Sequence, residues 1–245
     1  MSAIGIIPAR FASTRFPGKP LALIQGKPMI QWVYEGASKA ELLSKVVVAT
    51  DHPSIFEAVN SFGGFAVMTR EDHPSGTDRC YEALCLLNQS FDYVINIQGD
   101  EPMIDPGMID QLCTMLIQGK PSVVTLARKI SDPTEIENPN VVKVVFDASG
   151  RAMYFSRSPI PYQRNIPRSE WVHHQDYFKH LGIYGFRSEI LKNIVALSAA
   201  RLEIAESLEQ LRWMEFGIDV HVACTEFESI SVDTPEDIHK LINNF

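Results

Sequence analysis

The sequence predicts an α/β protein built on a doubly wound, mostly parallel sheet with an inserted antiparallel sheet. Three observations carry this. Short, almost wholly apolar runs rich in β-branched residues recur through the first half of the chain, as strands buried on both faces require. Amphipathic segments with helix start signals lie between them, the alternation of parallel strands joined by crossover helices. Beyond about residue 138 that alternation gives way to runs that read as antiparallel strands. The 245 residues suffice for one large core, so a single domain spans 1–245, with 138–187 as the insertion.

Taken in order, Ala3–Ile7, Lys45–Ala49, Phe65–Met68 and Tyr93–Ile97 are the first strands. Pro28 suits the first turn of a helix whose apolar stripe is Met29, Ile30, Val33 and Ala37. Asp51 and Pro53 start a second helix, ending near Gly63-Gly64, and Asp51 reads as its cap. Ser75 to Asp78 has capping-box spacing, and Cys80, Ala83, Leu84 and Leu87 follow on one face. A helix over Asp105–Gln118 and a strand over Ser122–Ala127 come next. Asn138–Asp147, Arg151–Ser156 and Lys179–Arg187 are the antiparallel strands, divided by the proline-rich Ser158–Arg168. A helix over Glu203–Phe216 puts Ile204, Leu208 and Leu211 on its apolar stripe and Glu206, Glu209, Gln210 and Trp213 opposite. Strands near Asp219–Ala223 and Ser229–Val232 and a helix from Pro235 complete the order.

Composition excludes several classes. No apolar run is long enough to cross a bilayer, and Met1–Ile7 lacks the basic start of a signal peptide. The four cysteines (Cys80, Cys85, Cys113, Cys224) are scattered, which favours reduced thiols in a cytoplasm over zinc or disulfides. A net charge of −8 argues against a nucleic-acid partner, since phosphate backbones recruit basic surfaces. The charge is uneven, however. Met1 to Tyr34 contains no acid, yet Arg10, Arg15, Lys19 and Lys27 fall there. Such a segment either holds a compact anion or is a solvated loop.

The first strand runs into Pro8-Ala9-Arg10 and on through Arg15 to Lys19, a loop that is neither a Walker A nor a G-x-G-x-x-G sequence. It lies at the carboxyl end of a strand, where open α/β sheets bind ligands. Its small residues let backbone N–H groups approach an anion, and its cations suit phosphate. Gln98-Gly-Asp100-Glu-Pro102 follows another strand, and Asp100 is aimed into the same crevice. Magnesium takes a carboxylate or two together with phosphate oxygens and water. Asp233 is the second candidate ligand; from the residues alone it reads equally as part of the Thr234-Pro235 helix start. Ser75-Gly76-Thr77 opens a helix whose N–H groups suit an oxygen-rich ligand and also read as an ordinary cap. Arg157 ends a strand on an apolar face, where its guanidinium suits a carboxylate. His180, Gly182 and Tyr184 share a strand face, and Glu209 and Gln210 share a polar helix face. The residues alone favour structural roles for these last two sets.

PAR-x-x-S-T-R-x-P-G-K-P-L, ATDH, SGTDR, QGDEP, YFSRSPIP, KHLGIYGFR, ESLEQLR and VDTPED together resemble the 3-deoxy-manno-octulosonate (Kdo) cytidylyltransferases, in matching order over nearly the whole chain. The resemblance implies a nucleotide-diphospho-sugar-transferase fold, related to the Rossmann fold. It implies a reaction of CTP with Kdo giving CMP-Kdo and pyrophosphate for lipopolysaccharide, Mg²⁺ as cofactor, and a homodimer. Arg10, Lys19 and Asp100 would be catalytic, with Arg15 close to the triphosphate. Pro8, Ala9, Arg10, Ser75, Gly76 and Thr77 would contact base and ribose, with Gln98 nearby. Asp100 and Asp233 would hold the metal, and Arg157, His180, Tyr184, Glu209 and Gln210 the sugar. The rivals are a cytidylyltransferase for another acidic sugar, such as sialate or amino-Kdo, and a non-catalytic nucleotide sensor. A glycosyltransferase of similar fold would want a D-x-D motif, which Gln98-Gly-Asp100 is not.

Overall fold

The computed structural model describes residues 1–12, 16–119, 121–228 and 230–242. Arg15 therefore lies outside the described residues. The strands are β1 (Ala3–Ala9), β2 (Leu23–Ile24), β3 (Lys27–Pro28), β4 (Leu43–Thr50), β5 (Ala66–Met68), β6 (Tyr93–Asn96), β7 (Val123–Lys129), β8 (Lys143–Phe146), β9 (Ala152–Ser156), β10 (Phe178–Arg187) and β11 (Val220–Cys224). The helices are α1 (Met29–Ala37), α2 (Pro53–Ser61), α3 (Gly76–Leu86), α4 (Pro106–Gln118), α5 (Pro133–Glu137), α6 (Trp171–His174), α7 (Ser188–Val195), α8 (Arg201–Glu206), α9 (Glu209–Glu215) and α10 (Pro235–Ile242).

The main sheet runs β11-β7-β10-β6-β1-β4-β5. β1 is parallel to β4 and β6, β4 to β5, and β11 to β7. Because β1 is covered on both sides, its residues alternate between two cores. Ala3, Ile7 and Ala9 pack with α1, α2 and α4, whereas Ile4 and Ile6 pack with α3, α7 and α9. Truncating one such isoleucine to alanine typically costs ~2–5 kcal/mol. The chain moves from β1 outward to β4 and β5, then returns to place β6 on the other flank of β1. The carboxyl ends of β1 and β6 thus border the point where the winding reverses, the usual ligand crevice of such sheets.

The antiparallel insertion joins this sheet through β10. That strand lies between β6 and β7, antiparallel to both, and carries the β8–β9 hairpin at its amino end. An irregularity between Leu181 and Tyr184 shifts the β10–β7 register. Among the described residues, no helix is long and apolar enough to cross a membrane.

Four local expectations are corrected. The helix expected over 203–216 is broken at Ser207, which adopts φ 53° and ψ 48°. That left-handed conformation costs a non-glycine residue roughly 1–2 kcal/mol, offset here by Arg157, whose guanidinium takes the carbonyls of Glu206 and Ser207. The break rotates the stripe: Leu208 and Leu211 are buried, Ile204 is 69% exposed, and Trp213, expected opposite, is fully buried. Residues 230–232 form no strand, and Ser229 lies outside the described residues. The strand expected over 138–147 shortens to β8, because Lys143 is buried with its ammonium donating to the carbonyls of Asn138, Val141 and Arg157. Finally, Asp51 does not cap α2. The cap is His52, whose ring nitrogen accepts from Ser54 N–H.

Candidate active site

A cavity of about 410 Å³ opens at the carboxyl ends of β1 and β6. Pro8, Ala9, Arg10 and Lys19 line one side. Ser75, Gly76, Gln98, Asp100 and Asp233 complete it. The two strand tips approach closely because residue 99 is glycine: a Cβ there would stand 2.8 Å from the Pro8 carbonyl. Nine of the residues singled out from sequence are thereby brought to one cavity, from five separate stretches of chain.

Lys19 opens a short 3₁₀ turn preceded by Gly18, whose φ of 69° only glycine adopts without strain. The turn aims the Lys19 ammonium between the loop after β6 and the segment before α10. Nζ donates to Asp100 Oδ2 at 2.6 Å and to the Val232 carbonyl at 2.9 Å, and stands 3.8 Å from Asp233 Oδ1. The two segments are also joined by the Val232 N–H to Asp100 carbonyl bond of 2.9 Å. At the start of α10, Asp237 accepts from the N–H groups of Asp233 and Thr234. The helix entrance is thus served by Asp237, while the Asp233 carboxylate is turned towards Lys19.

Across the cavity Ser75 caps α3, accepting from Asp78 N–H at 3.2 Å. Its hydroxyl lies 2.5 Å from Asp78 Oδ2 and 2.9 Å from Glu209 Oε1, and Thr77 donates to Glu209 Oε2 at 2.9 Å. Burial raises the Glu209 carboxyl above the usual carboxylate range, opposed by the Ser75 and Thr77 hydroxyls and by Arg212. The single Ser75 proton cannot serve both carboxylates at once.

Beside this link lies a cluster of aromatic rings with polar atoms buried among them. The His180 ring is 5.1 Å from Phe155 and 5.2 Å from Tyr184, and Tyr184 is 5.0 Å from Trp213. Burial pushes the His180 imidazole down to about 3, so the ring is neutral at physiological pH. Thr125 Oγ1 sits 2.7 Å from the Ile183 carbonyl and 3.0 Å from His180 Nε2. With the Thr125 proton given to the carbonyl, Nε2 carries the imidazole proton and donates to Thr125. The buried Tyr184 hydroxyl is raised well above its ordinary value by desolvation and by Glu209. Among the described residues, Tyr184 OH, Gln210 Nε2, Trp213 Nε1 and Asn96 Oδ1 have no hydrogen-bond partner. Buried polar groups of this kind ordinarily find partners, so these four atoms are unmet hydrogen-bonding capacity in the cluster.

Arg157 sits apart from this set, with its guanidinium on the carbonyls of Pro139, Glu206 and Ser207. Gln98 donates to the Gly182 carbonyl at 2.7 Å, tying the QGD turn to β10. The sequence reading missed His73 and Arg79 in the cavity wall and Asn96, which pairs with Tyr184 across β6 and β10. Arg79 stands in the SGTDR motif, and an arginine directly before the buried Cys80 on a helix was the available signal.

A reversal-point crevice holding cations, two aspartates and a helix N-terminus defines a nucleotide-binding α/β protein whose site suits a triphosphate. The cytidylyltransferase family profile matches residues 4–229. The 3-deoxy-manno-octulosonate cytidylyltransferase of Parabacteroides distasonis is 49% identical over 99% of this chain and 97% of its own length. That of Thermodesulfovibrio yellowstonii is 49% identical over 100% of both chains. The solved structure of CMP:2-keto-3-deoxy-manno-octonic acid synthetase complexed with CTP is similar with a TM-score of 0.92 at 44% identity, covering 100% of this chain and 98% of that one. The 4-diphosphocytidyl-2C-methyl-D-erythritol synthase of Anaerococcus prevotii, at 15% identity and a TM-score of 0.63, shares the fold. The chain belongs to the cytidylyltransferase family and, within it, to the 3-deoxy-manno-octulosonate cytidylyltransferases.

Proposed function

We propose that this chain transfers CMP from CTP to the anomeric hydroxyl of Kdo, giving CMP-Kdo and pyrophosphate. The observation that carries the reading is the approach of Asp100 and Asp233 to the one ammonium of Lys19, in a cavity walled on its far side by the Ser75-Gly76 turn. Relatives of nearly half-identical sequence bear the corresponding name, and CTP is the ligand named for the similar solved structure.

In this reading Pro8, Ala9, Arg10, Gln98 and the Ser75–Thr77 turn receive base and ribose, and Arg10, Arg15 and Lys19 receive the phosphates. The donor set fits Mg²⁺. Among the described residues no three His, Cys, Asp or Glu side chains cluster as a closed metal site, whereas two carboxylates from separate segments leave positions for phosphate oxygens and water, as magnesium prefers. Asp100 and Asp233 would hold the ion, which supplies charge neutralisation on the triphosphate and lowers the pKa of a nearby hydroxyl.

The residues then position and neutralise. The sugar hydroxyl loses its proton to water, its oxygen bonds to the α-phosphorus as the bond to pyrophosphate breaks in line, and Arg10 and Lys19 stabilise the charge gathering on the leaving group. Neutral His180, the Tyr184 hydroxyl, Glu209 and Gln210 orient the sugar hydroxyls, whereas the Arg157 guanidinium, expected on the sugar carboxylate, is taken by the carbonyls of Pro139, Glu206 and Ser207. Residues 138–187 would serve sugar binding and dimerisation. The product supplies lipopolysaccharide assembly from the cytoplasm.

Incubation with CTP, Mg²⁺ and either Kdo or sialate tests this through pyrophosphate release. Release with Kdo supports the proposal, release with sialate alone replaces the sugar, and release with neither favours a nucleotide sensor. Sedimentation at micromolar concentration tests the dimer.

A further inference from the structure

The residue after Arg10 is held from several directions at once. The Phe11 N–H donates to Asp51 Oδ1 at 3.2 Å, and the Phe11 carbonyl accepts from Gly18 N–H at 3.0 Å. Its ring stacks on His52 with centroids 3.9 Å apart and planes 16° off parallel. The two ends of the loop between β1 and Lys19 are thus pinned together and fastened to the end of β4.

Behind Phe11, Asp51 is paired with Arg79. Their side chains are 6% and 4% exposed, and Arg79 Nη2 stands 2.9 Å from Asp51 Oδ2. The other guanidinium nitrogen donates to Thr69 Oγ1 at 2.7 Å and to the Arg70 carbonyl at 3.1 Å. One ion pair therefore joins the ends of β4 and β5 to the first turn of α3, and its remaining carboxylate oxygen meets the loop.

Stability alone is a weak reason for such a pair, because desolvating two charges offsets much of their attraction, and apolar replacements often do as well. What an apolar pair cannot supply is a fixed acceptor for Phe11 N–H at a set distance from the α3 entrance. Arg79 itself forms part of the cavity wall shared with Arg10, Lys19, Ser75 and Gly76.

We propose that Asp51 and Arg79 are a positioning pair for the triphosphate loop, setting Arg10 and Lys19 against the Ser75-Gly76 turn. The pair acts through Phe11 and needs no contact with the nucleotide. This rests on the reading that the cavity takes CTP.

The test compares Asp51→Asn, Arg79→Gln, Arg79→Lys and Phe11→Pro with the parent protein. Initial rates are measured with CTP varied at saturating Kdo, and with Kdo varied at saturating CTP. A displaced loop should raise KM for CTP by roughly tenfold or more, since small misplacements of binding groups are costly, and leave KM for Kdo unchanged. Arg79→Lys, which keeps the charge, should recover part of the loss seen with Arg79→Gln. Phe11→Pro removes the N–H that Asp51 accepts, leaves the buried pair intact, and decides the matter if the charge variants do not fold. Variants with the parent's KM for CTP, or equal rises in both KM values, would overturn the pair's role while the parent remains active. A parent that neither binds nor turns over CTP would instead overturn the functional reading.

Discussion

Glu209 accepts a hydrogen bond from the Thr77 hydroxyl at 2.9 Å, joining α9 to the first turn of α3. The helix proposed to meet the sugar is thereby bonded to the turn that lines the nucleotide cavity. A buried carboxyl with a raised pKa is an energetic burden at neutral pH. The folded state binds the proton more readily than the unfolded one, so the burden is largest above the folded pKa and disappears as pH falls below the unfolded value.

Glu209→Gln should therefore keep or raise the thermal midpoint at pH 8, since the amide retains hydrogen bonding without the charge. Turnover should fall roughly tenfold to a hundredfold, the scale of losing a charged hydrogen-bond partner. Thermal melts and pyrophosphate assays read the two effects separately. A loss of stability with unchanged turnover would make Glu209 a structural tie only.

Tyr184→Phe removes a buried hydroxyl that has no partner among the described residues. Its stability should change by no more than about 0.5 kcal/mol. KM for the sugar should rise about tenfold, with KM for CTP unchanged, as steady-state kinetics with each substrate varied will show.

Lys19→Ala should lower kcat by about a hundredfold to a thousandfold, the scale of removing one group that stabilises developing charge. Lys19 is partly exposed, so the fold should lose only about 1 kcal/mol. Circular dichroism beside single-turnover rates checks this, and an unchanged rate would remove the loop from the chemistry.

His180, pushed down to about 3 by burial, makes stability depend on pH. The folded pKa lies below the unfolded value, so its contribution is complete above about 6.5 and is lost progressively towards 3. From this group the protein should be about 2 kcal/mol less stable at pH 5 than at pH 8. Denaturant unfolding of His180→Asn should show that much less dependence over the same interval.

Much of the site was legible because strand tips are legible. Apolar runs located β1, β4 and β6, and their carboxyl ends brought Arg10 and Asp100 into view before any coordinates. Asp233 was ambiguous because a helix start and a metal ligand use the same residue types, and only Asp237 at the α10 entrance separates the two roles. The break at Ser207 was hidden because no glycine or proline marks it; its cause is Arg157, fifty residues earlier. The Asp51–Arg79 pair was invisible for a similar reason. Its partners lie 28 residues apart in sequence, and Asp51 sits where a helix cap is expected. The insertion of β10 between β6 and β7 is a pairing choice that local patterning does not encode.

In the proposed reaction Asp100, Asp233 and Lys19 serve one magnesium-bound triphosphate. The Mg²⁺ dependence of turnover in Asp233→Asn, at saturating CTP and Kdo, tests this. The expected outcome is a fall in kcat of about a hundredfold or more, with a higher Mg²⁺ concentration needed for half-maximal rate. Turnover and Mg²⁺ dependence equal to the parent's would contradict it.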